Sequence, residues 1–197
     1  MSRVISFLTI AFMWCSCSGR AKRPDEYLRF FSNENPVNKQ IQVGDLYYDI
    51  SFLPAEYMAA SYAMDGSNLD RQKYQEKLGI IQHVLYYSIS MYSKGENPMK
   101  YRLYSQDELQ GRISYYNNIA QQDIKLIVNQ HDTLHPVDYI FENNLGVSNE
   151  NKIIVVFNKP EVFEELTLVF NDKALDNYHL KSTVTSSKIK QLPTLKY

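Results

Sequence analysis

The chain has 197 residues, of which 44% are hydrophobic and 22% charged, and its 21 basic and 22 acidic side chains give a formal net charge of -1. This composition is typical of one soluble globular domain and excludes a collagenous, low-complexity or wholly disordered chain. The balanced charge also argues against a nucleic-acid partner, because clustered Lys and Arg supply most of the affinity in such complexes.

Residues 1–16 have the features of a secretory signal peptide. Arg3 supplies the positive n-region, and the apolar stretch 4–14 has the length of an h-region but is too short to span a bilayer. Both cysteines of the chain, Cys15 and Cys17, follow at once. A disulfide between positions two apart would close no useful loop, so lipid attachment explains them better.

The end of this segment resembles the lipobox of bacterial lipoproteins, in which a small residue precedes the cysteine that becomes the lipidated N-terminus. Ser16 and Cys17 match that pattern, whereas Trp14 stands where the family usually has Leu or another aliphatic residue. Ser18 is typical of Gram-negative outer-membrane lipoproteins, and the chain resembles members of that class of uncharacterised function. Ordinary secretion and an uncleaved anchor are the alternatives.

The resemblance implies lipidation of Cys17 and contact with the membrane through the N-terminal lipid. It also implies an outer-membrane location, with the periplasm-facing orientation favoured over the surface-facing one. It implies no substrate and no catalytic residue. Residues 17–39 are interpreted as the lipidated N-terminus and a tether, because the stretch 19–26 is short and polar, and residues 40–197 are interpreted as one domain.

The domain is predicted to begin with a strand or a hairpin. Apolar residues recur with a period near two over 40–53, and Gly44–Asp45 is a possible turn or bulge within this stretch. Pro54 then begins a predicted helix, which Asp65–Gly66 ends. A second helix is predicted over 68–78, with Asn68 as its N-cap and Gly79 as its breaker.

Alternation over 80–92 predicts a long strand. One face carries Ile81, His83, Leu85, Tyr87, Ile89 and Met91, and the other carries Gln82, Val84, Tyr86, Ser88, Ser90 and Tyr92. After a turn at 94–98 the chain is predicted to return as a strand over 99–104. Ser105 and Glu108 match the capping box of a short helix that ends near residue 117.

The second half repeats short strands and turns. The stretches 119–129 and 133–143 flank a predicted hairpin loop at 130–132, and Pro136 indicates an edge strand or a bulge. Further strands are predicted over 152–158, 166–171 and 179–185. Because helices are few and no βαβ alternation occurs, the predicted fold is mainly β: an antiparallel β-sandwich, immunoglobulin- or transthyretin-like, with one or two short helices.

The weak metal candidates are His131, Asp132 and His135, since imidazole and carboxylate groups bind zinc. They flank a predicted turn and do not form an HExxH motif, so ordinary turn residues are the preferred interpretation. Asp138 and Glu142 share one strand face, but about 13 Å between their Cα atoms exceeds the usual spacing of a glycosidase pair. No catalytic residue and no cofactor are predicted.

The leading functional hypothesis is a membrane-anchored, non-enzymatic interaction or scaffolding component that contacts an envelope protein. The alternative is a glycan- or ligand-binding module of the cell envelope, because the 16 tyrosines can supply exposed rings that stack on sugars or anchor an interface. A metal-dependent enzyme that uses His131, Asp132 and His135 is the third hypothesis.

Overall fold

The structure is a computed structural model that describes residues 21–144 and 148–197, and it is mainly β. The predicted signal peptide and Cys17 lie outside the described residues. In chain order the described strands are β1 (Ala21–Lys22), β2 (Asn38–Val43), β3 (Leu46–Leu53), β4 (Met64–Asp65), β5 (Asn68–Leu69), β6 (Val84–Ser93), β7 (Ile124–Val128), β8 (Asp132–Leu134), β9 (Asp138–Glu142), β10 (Glu150–Asn158), β11 (Glu165–Asp172), β12 (Asn177–Thr185) and β13 (Thr194–Leu195). The described α-helices are α1 (Pro24–Asn33), α2 (Ala55–Ala63), α3 (Arg71–Ile81), α4 (Gln106–Asn118) and α5 (Ser186–Lys190).

Two antiparallel sheets hold most of these strands. One has five strands in the order β2-β3-β6-β10-β9, and the other has four in the order β12-β11-β7-β8. Buried side chains of both sheets belong to one hydrophobic core, with Ile50 and Ile89 from the first sheet and Leu126 and Leu168 from the second fully buried. The predicted antiparallel, mainly β character is therefore confirmed.

The prediction of one or two short helices is wrong, because the described chain has several. Helices α1 and α5 were both missed, and α1 lies within the stretch interpreted as a tether. Asp25 and Glu26 occupy its first turn, where acidic groups favour a helix, while Tyr27 and Phe31 lie four residues apart and are buried in the core. The folded body therefore begins before residue 40. Within the described residues, every helix is too short or too polar to cross a bilayer.

Helix α3 differs from the prediction at both ends. Asp70 is its N-cap and accepts a hydrogen bond from the Lys73 backbone nitrogen at 3.1 Å, whereas Asn68 lies in β5. Gly79 does not end the helix, which continues to Ile81, so residues 80 and 81 of the predicted strand are helical. Strand β6 begins only at Val84, but its predicted faces are confirmed where they overlap the strand, since Leu85, Tyr87, Ile89 and Met91 are all buried.

The strand predicted over 99–104 is absent from the described structure, which has a 3₁₀ turn at Pro98–Lys100 instead. Asn97 determines this geometry: its side-chain oxygen accepts from the Met99 backbone nitrogen at 2.9 Å, and its amide nitrogen donates to the Ser148 carbonyl oxygen at 2.9 Å. Arg102 then has a positive φ of 47°, which is incompatible with a strand.

The predicted strand 133–143 divides at Pro136. Strand β8 pairs with β7 in the four-stranded sheet, as the predicted hairpin requires, whereas β9 pairs with β10 in the five-stranded sheet. Proline has no backbone N–H to donate to a ladder, so the chain leaves one sheet and joins the other there. Both pieces are edge strands, which agrees with the edge interpretation of Pro136.

The capping of α4 allows a direct test. The Ser105 hydroxyl accepts from the Glu108 backbone nitrogen at 3.1 Å, while the Glu108 carboxylate accepts from the Tyr104 backbone nitrogen at 2.9 Å. We expect Ser105→Ala to lower the free energy of unfolding by about 1 kcal/mol, because the cap bond is lost. Urea denaturation measures this change. Ser105→Asp should restore stability, and equal losses in the two variants would contradict the capping role.

Candidate functional site

A row of polar residues crosses the outer face of the five-stranded sheet. Strand register places Gln40 opposite Asp49, Asp49 opposite Ser90, Ser90 opposite Lys152 and Lys152 opposite Glu142. Directly paired residues of neighbouring strands extend their side chains from the same face of the sheet. These five residues, which we call the polar row, therefore form one continuous strip across all five strands.

A second strip runs beside the polar row, two residues along each strand. Its members are Asn38, Ser51, Ser88 and Ile154, which are likewise paired in register. Ser88 is buried, and Ser51 and Ile154 are half-buried. The outer face thus presents adjacent hydroxyl groups next to the charged residues.

Four residues of the polar row, all except Gln40, line a cleft of about 510 Å³, a volume in the range of small-molecule sites. The sheet supplies Asp49, Ser90 and Lys152, and helices α1 and α2 supply Phe31 and Tyr57. These two aromatic rings pack together, with 5.2 Å between their centroids. The cleft therefore combines a polar sheet surface with an aromatic one from the helices.

Asp49 is the distinctive group of this cleft. Its Oδ1 atom is buried and has no hydrogen-bond partner among the described residues. Tyr92 is its neighbour on the sheet: the pKa of Tyr92 is raised first by burial, then by the charge of the Asp49 carboxylate and by a hydrogen bond to that carboxylate. Gln40 Nε2 donates to the Tyr92 hydroxyl at 2.6 Å, and the Tyr92 ring stacks on Tyr47 at 5.2 Å. A tyrosine held from two sides thus borders a carboxylate oxygen that still lacks a donor.

Lys152 also has no ion-pair partner within the part of the chain that the structure describes. Glu142 is its cross-strand partner, yet the described residues contain no ion pair to Lys152. The ammonium group is half-buried in the cleft and retains donors for another molecule. The cleft therefore offers an acceptor at Asp49 and donors at Lys152, two strands apart.

A different carboxylate, that of Asp172, is buried in the core. It accepts from the Tyr48 hydroxyl at 2.8 Å and from the Tyr116 hydroxyl at 2.7 and 2.8 Å, and Asn177 Nδ2 donates to the Tyr48 oxygen at 2.7 Å. Burial raises the pKa of Asp172 to about 6, against the lowering effect of the two tyrosine hydrogen bonds. Asp172 is completely buried, so its hydrogen bonds connect α4 and β3 with β11 and a ligand does not reach it.

The weak metal candidates lie elsewhere, at an edge of the four-stranded sheet. His131 is in the turn between β7 and β8, Asp132 begins β8, and His135 follows it; all three are exposed. Within residues 21–144 and 148–197, no group of three or more His, Cys, Asp or Glu residues could hold a metal ion. Asp138 and Glu142 lie on edge strand β9 and are exposed, and Glu142 lines the cleft.

Sequence reasoning missed the cleft although part of its signal was visible. The alternation over 80–92 places Ser88, Ser90 and Tyr92 on one common face of their strand, and that face forms part of the cleft. Alternation of apolar and polar residues shows which residues share one face of a strand, but not which residues of the neighbouring strands lie opposite them. The register that places Asp49 and Lys152 on either side of Ser90 could therefore not be predicted.

An apolar groove lies on another part of the surface. It has a volume of about 530 Å³ and is lined by Leu78, Phe163 and Ile189, beside Val162, whose side chain is 80% exposed. The groove is separate from the cleft, so Val162 offers a control position outside it.

Comparison with known proteins gives little further information. No protein-family model and no curated protein matches the chain. One similar solved structure is the crystal structure of a novel protein of unknown function from Burkholderia pseudomallei. The two chains share 10% sequence identity with a TM-score of 0.41, over 87% of this chain and 96% of that one. This degree of likeness carries no argument about fold or function.

Proposed function

We propose that this chain is a lipid-anchored, non-enzymatic binding component of a Gram-negative cell envelope. The observation that carries the binding role is the cleft, in which Asp49 Oδ1 and Lys152 both lack partners among the described residues. The anchor is supported by the resemblance of Ser16–Cys17 to a lipobox. Acylation there would attach the chain to the outer membrane, because two or more acyl chains give stable anchoring.

We further propose that the two sheets pack face to face as a β-sandwich. Two features support this arrangement: buried residues of both sheets belong to one core, and the Tyr48 hydroxyl on β3 donates directly to Asp172 on β11. In such a sandwich the outer face of the five-stranded sheet is left free to bind. The sandwich would thus act as a scaffold that presents the cleft.

The anchor is tested by the intact mass of the protein extracted from membranes. We expect the mass of residues 17–197 plus acyl groups in the wild type and in Cys15→Ala, which is the matched control. Cys17→Ala should instead have the mass of the unprocessed chain, since the acceptor thiol is lost. An unmodified wild-type protein in the soluble fraction would overturn the anchor.

The binding role is tested by capture from a detergent extract of the envelope. We expect Asp49→Asn combined with Lys152→Gln to lose the captured component, because both unpartnered groups of the cleft are altered. The matched control, Asp65→Asn combined with Lys181→Gln, carries the same changes at exposed positions outside the cleft and should retain it. Val162→Asp in the apolar groove should retain it as well. Loss of capture only in Val162→Asp would move the binding surface to the groove.

A further inference from the structure

We propose that the cleft binds a neutral or amine-bearing saccharide, with a hydroxyl or ammonium group of the sugar donating a hydrogen bond to Asp49 Oδ1. This inference rests on the proposed binding function and names the ligand class of the same cleft. Four observations carry it: the unpartnered carboxylate oxygen, the adjacent hydroxyl groups, the aromatic side of the cleft and its charge.

The first step concerns Asp49. A buried carboxylate oxygen without a hydrogen bond is unfavourable, because it has lost water and gained no donor. The Tyr92 hydroxyl interacts with the same carboxylate and accepts a hydrogen bond from Gln40, yet Oδ1 itself has no partner among the described residues. A ligand that brings a donor to Oδ1 completes the site.

The second step concerns the extent of the polar surface. Ser88 and Ser90 present hydroxyl groups that both donate and accept, and Lys152 presents only donors. From Asp49 on β3 to Glu142 on β9 the polar row crosses three strand spacings, about 14 Å. A molecule that matches this strip needs several groups that both donate and accept along its length. The hydroxyl groups of a saccharide have this property.

The third step concerns the aromatic side of the cleft. Tyr57 and Phe31 come from α2 and α1, and Met58 lies beside them. A sugar ring has an apolar C–H face as well as hydroxyl groups at its rim, and an aromatic side chain with a polar tip suits such a ligand. Phe31 is buried against Tyr57, so the half-buried Tyr57 and Met58 are the side chains that a purely ionic ligand would leave without a complementary surface.

The fourth step excludes competing ligands. Asp49, Glu142 and Glu150 line the cleft together with one basic residue, Lys152, so its carboxylates outnumber its cations. Acidic saccharides and other anions are therefore disfavoured. An extended peptide would add to an edge strand such as β2 or β9, whereas the polar row lies on the face of the sheet.

The experiment uses the full chain, solubilised in a detergent that has no sugar headgroup and therefore cannot occupy the cleft. An array of immobilised neutral, amino and acidic oligosaccharides identifies the best ligand, and calorimetric titration with that oligosaccharide gives its Kd. We expect a neutral or amino saccharide to bind, and Asp49→Asn to weaken it at least about tenfold, because a hydrogen bond to a charged acceptor is replaced by a weaker one to a neutral amide oxygen. Asp65→Asn is the matched control and should bind as the wild type does. Thermal melting checks that each variant is folded.

The outcomes separate this inference from the proposed function. If no neutral or amino saccharide binds, or if Asp49→Asn binds as tightly as the wild type, the saccharide inference is overturned. A preference for acidic saccharides would overturn it too. If the saccharides fail while the cleft double variant still loses an envelope protein in the capture experiment, the binding function stands with a protein ligand. Failure of both experiments removes the binding function itself.

Discussion

Tyr116→Ala is expected to lower the free energy of unfolding by about 4 kcal/mol, the usual cost of truncating a large buried aromatic side chain. Tyr116 is fully buried on α4, and its ring stacks on Phe141 of β9 with 5.0 Å between centroids. Its hydroxyl donates to Asp172 at the end of β11. One side chain thus connects a helix with an edge strand of one sheet and a central strand of the other.

Equilibrium denaturation in urea measures this change. Tyr104→Ala is the matched control, since Tyr104 is 89% exposed and should cost little. Tyr116→Phe separates the hydroxyl from the ring and should cost about 2 kcal/mol at neutral pH, because it removes one hydrogen bond to a charged carboxylate. Equal effects of Tyr116→Ala and Tyr104→Ala would show that α4 is not held by this contact.

The second large effect is a pH dependence of stability that Asp172 produces. The pKa of this carboxyl is 3.8 in an unfolded chain and about 6 in the folded protein, because burial disfavours its charged form. Below pH 3.8 the carboxyl is mainly protonated in both states, so its ionisation does not lower the free energy of unfolding. As the pH rises from about 4 through 6, Asp172 ionises in the unfolded chain before it does so in the folded protein, and the free energy of unfolding falls. At pH 7 the total loss is about 3 kcal/mol, since each unit of pKa difference corresponds to about 1.4 kcal/mol.

Asp172→Asn tests this dependence, since an amide cannot ionise. The free energy of unfolding of the wild type minus that of Asp172→Asn should fall by about 3 kcal/mol between pH 3.5 and pH 7, while other titrating groups act equally on both proteins. For the exposed matched control Asp65→Asn, the same difference should stay constant. A constant difference for Asp172→Asn would mean that the core tolerates the charge without cost.

Local pattern was a reliable guide where burial alternates along the chain. Of the two arrangements predicted for 40–53, one strand or a hairpin, the structure has the hairpin β2–β3, which turns at Gly44 and Asp45, and Gly44 has the positive φ of 60° that a glycine adopts without strain. The N-cap at Ser105 was also predicted, because a cap depends on residues only three positions apart. These features need no knowledge of distant contacts.

The spacing of apolar residues did not predict the helices correctly where a few apolar residues lie among polar ones. In α1 only Tyr27 and Phe31 are buried, so the segment is polar enough to resemble a tether. In α3 the backbone continues past Gly79, where the open surroundings impose no break. The helices were undercounted because packing on the sheets, rather than intrinsic propensity, stabilises such segments.

The environments of Asp49 and Asp172 could not be predicted from a single sequence. Nothing local distinguishes Asp49 or Asp172 from the other acidic residues, because their environments come from distant strands and from α4. Tyr48 and Tyr116 lie 124 and 56 positions from Asp172, respectively, yet both donate to it. The cleft likewise depends on the register between β3, β6 and β10, which only the folded sheet defines.

The sequence by itself therefore determined the mainly β class, the antiparallel strands with one buried face, and the expectation of a lipid anchor at Cys17. These follow from periodicity and from a short contiguous motif, both of which are local properties of the chain. Only the tertiary structure decided which strands are neighbours, that α1 belongs to the core, and that Asp49 and Lys152 meet across Ser90 in one cleft. Long-range pairing and burial arise from the free energy of the whole fold, and no window of a few residues contains that information.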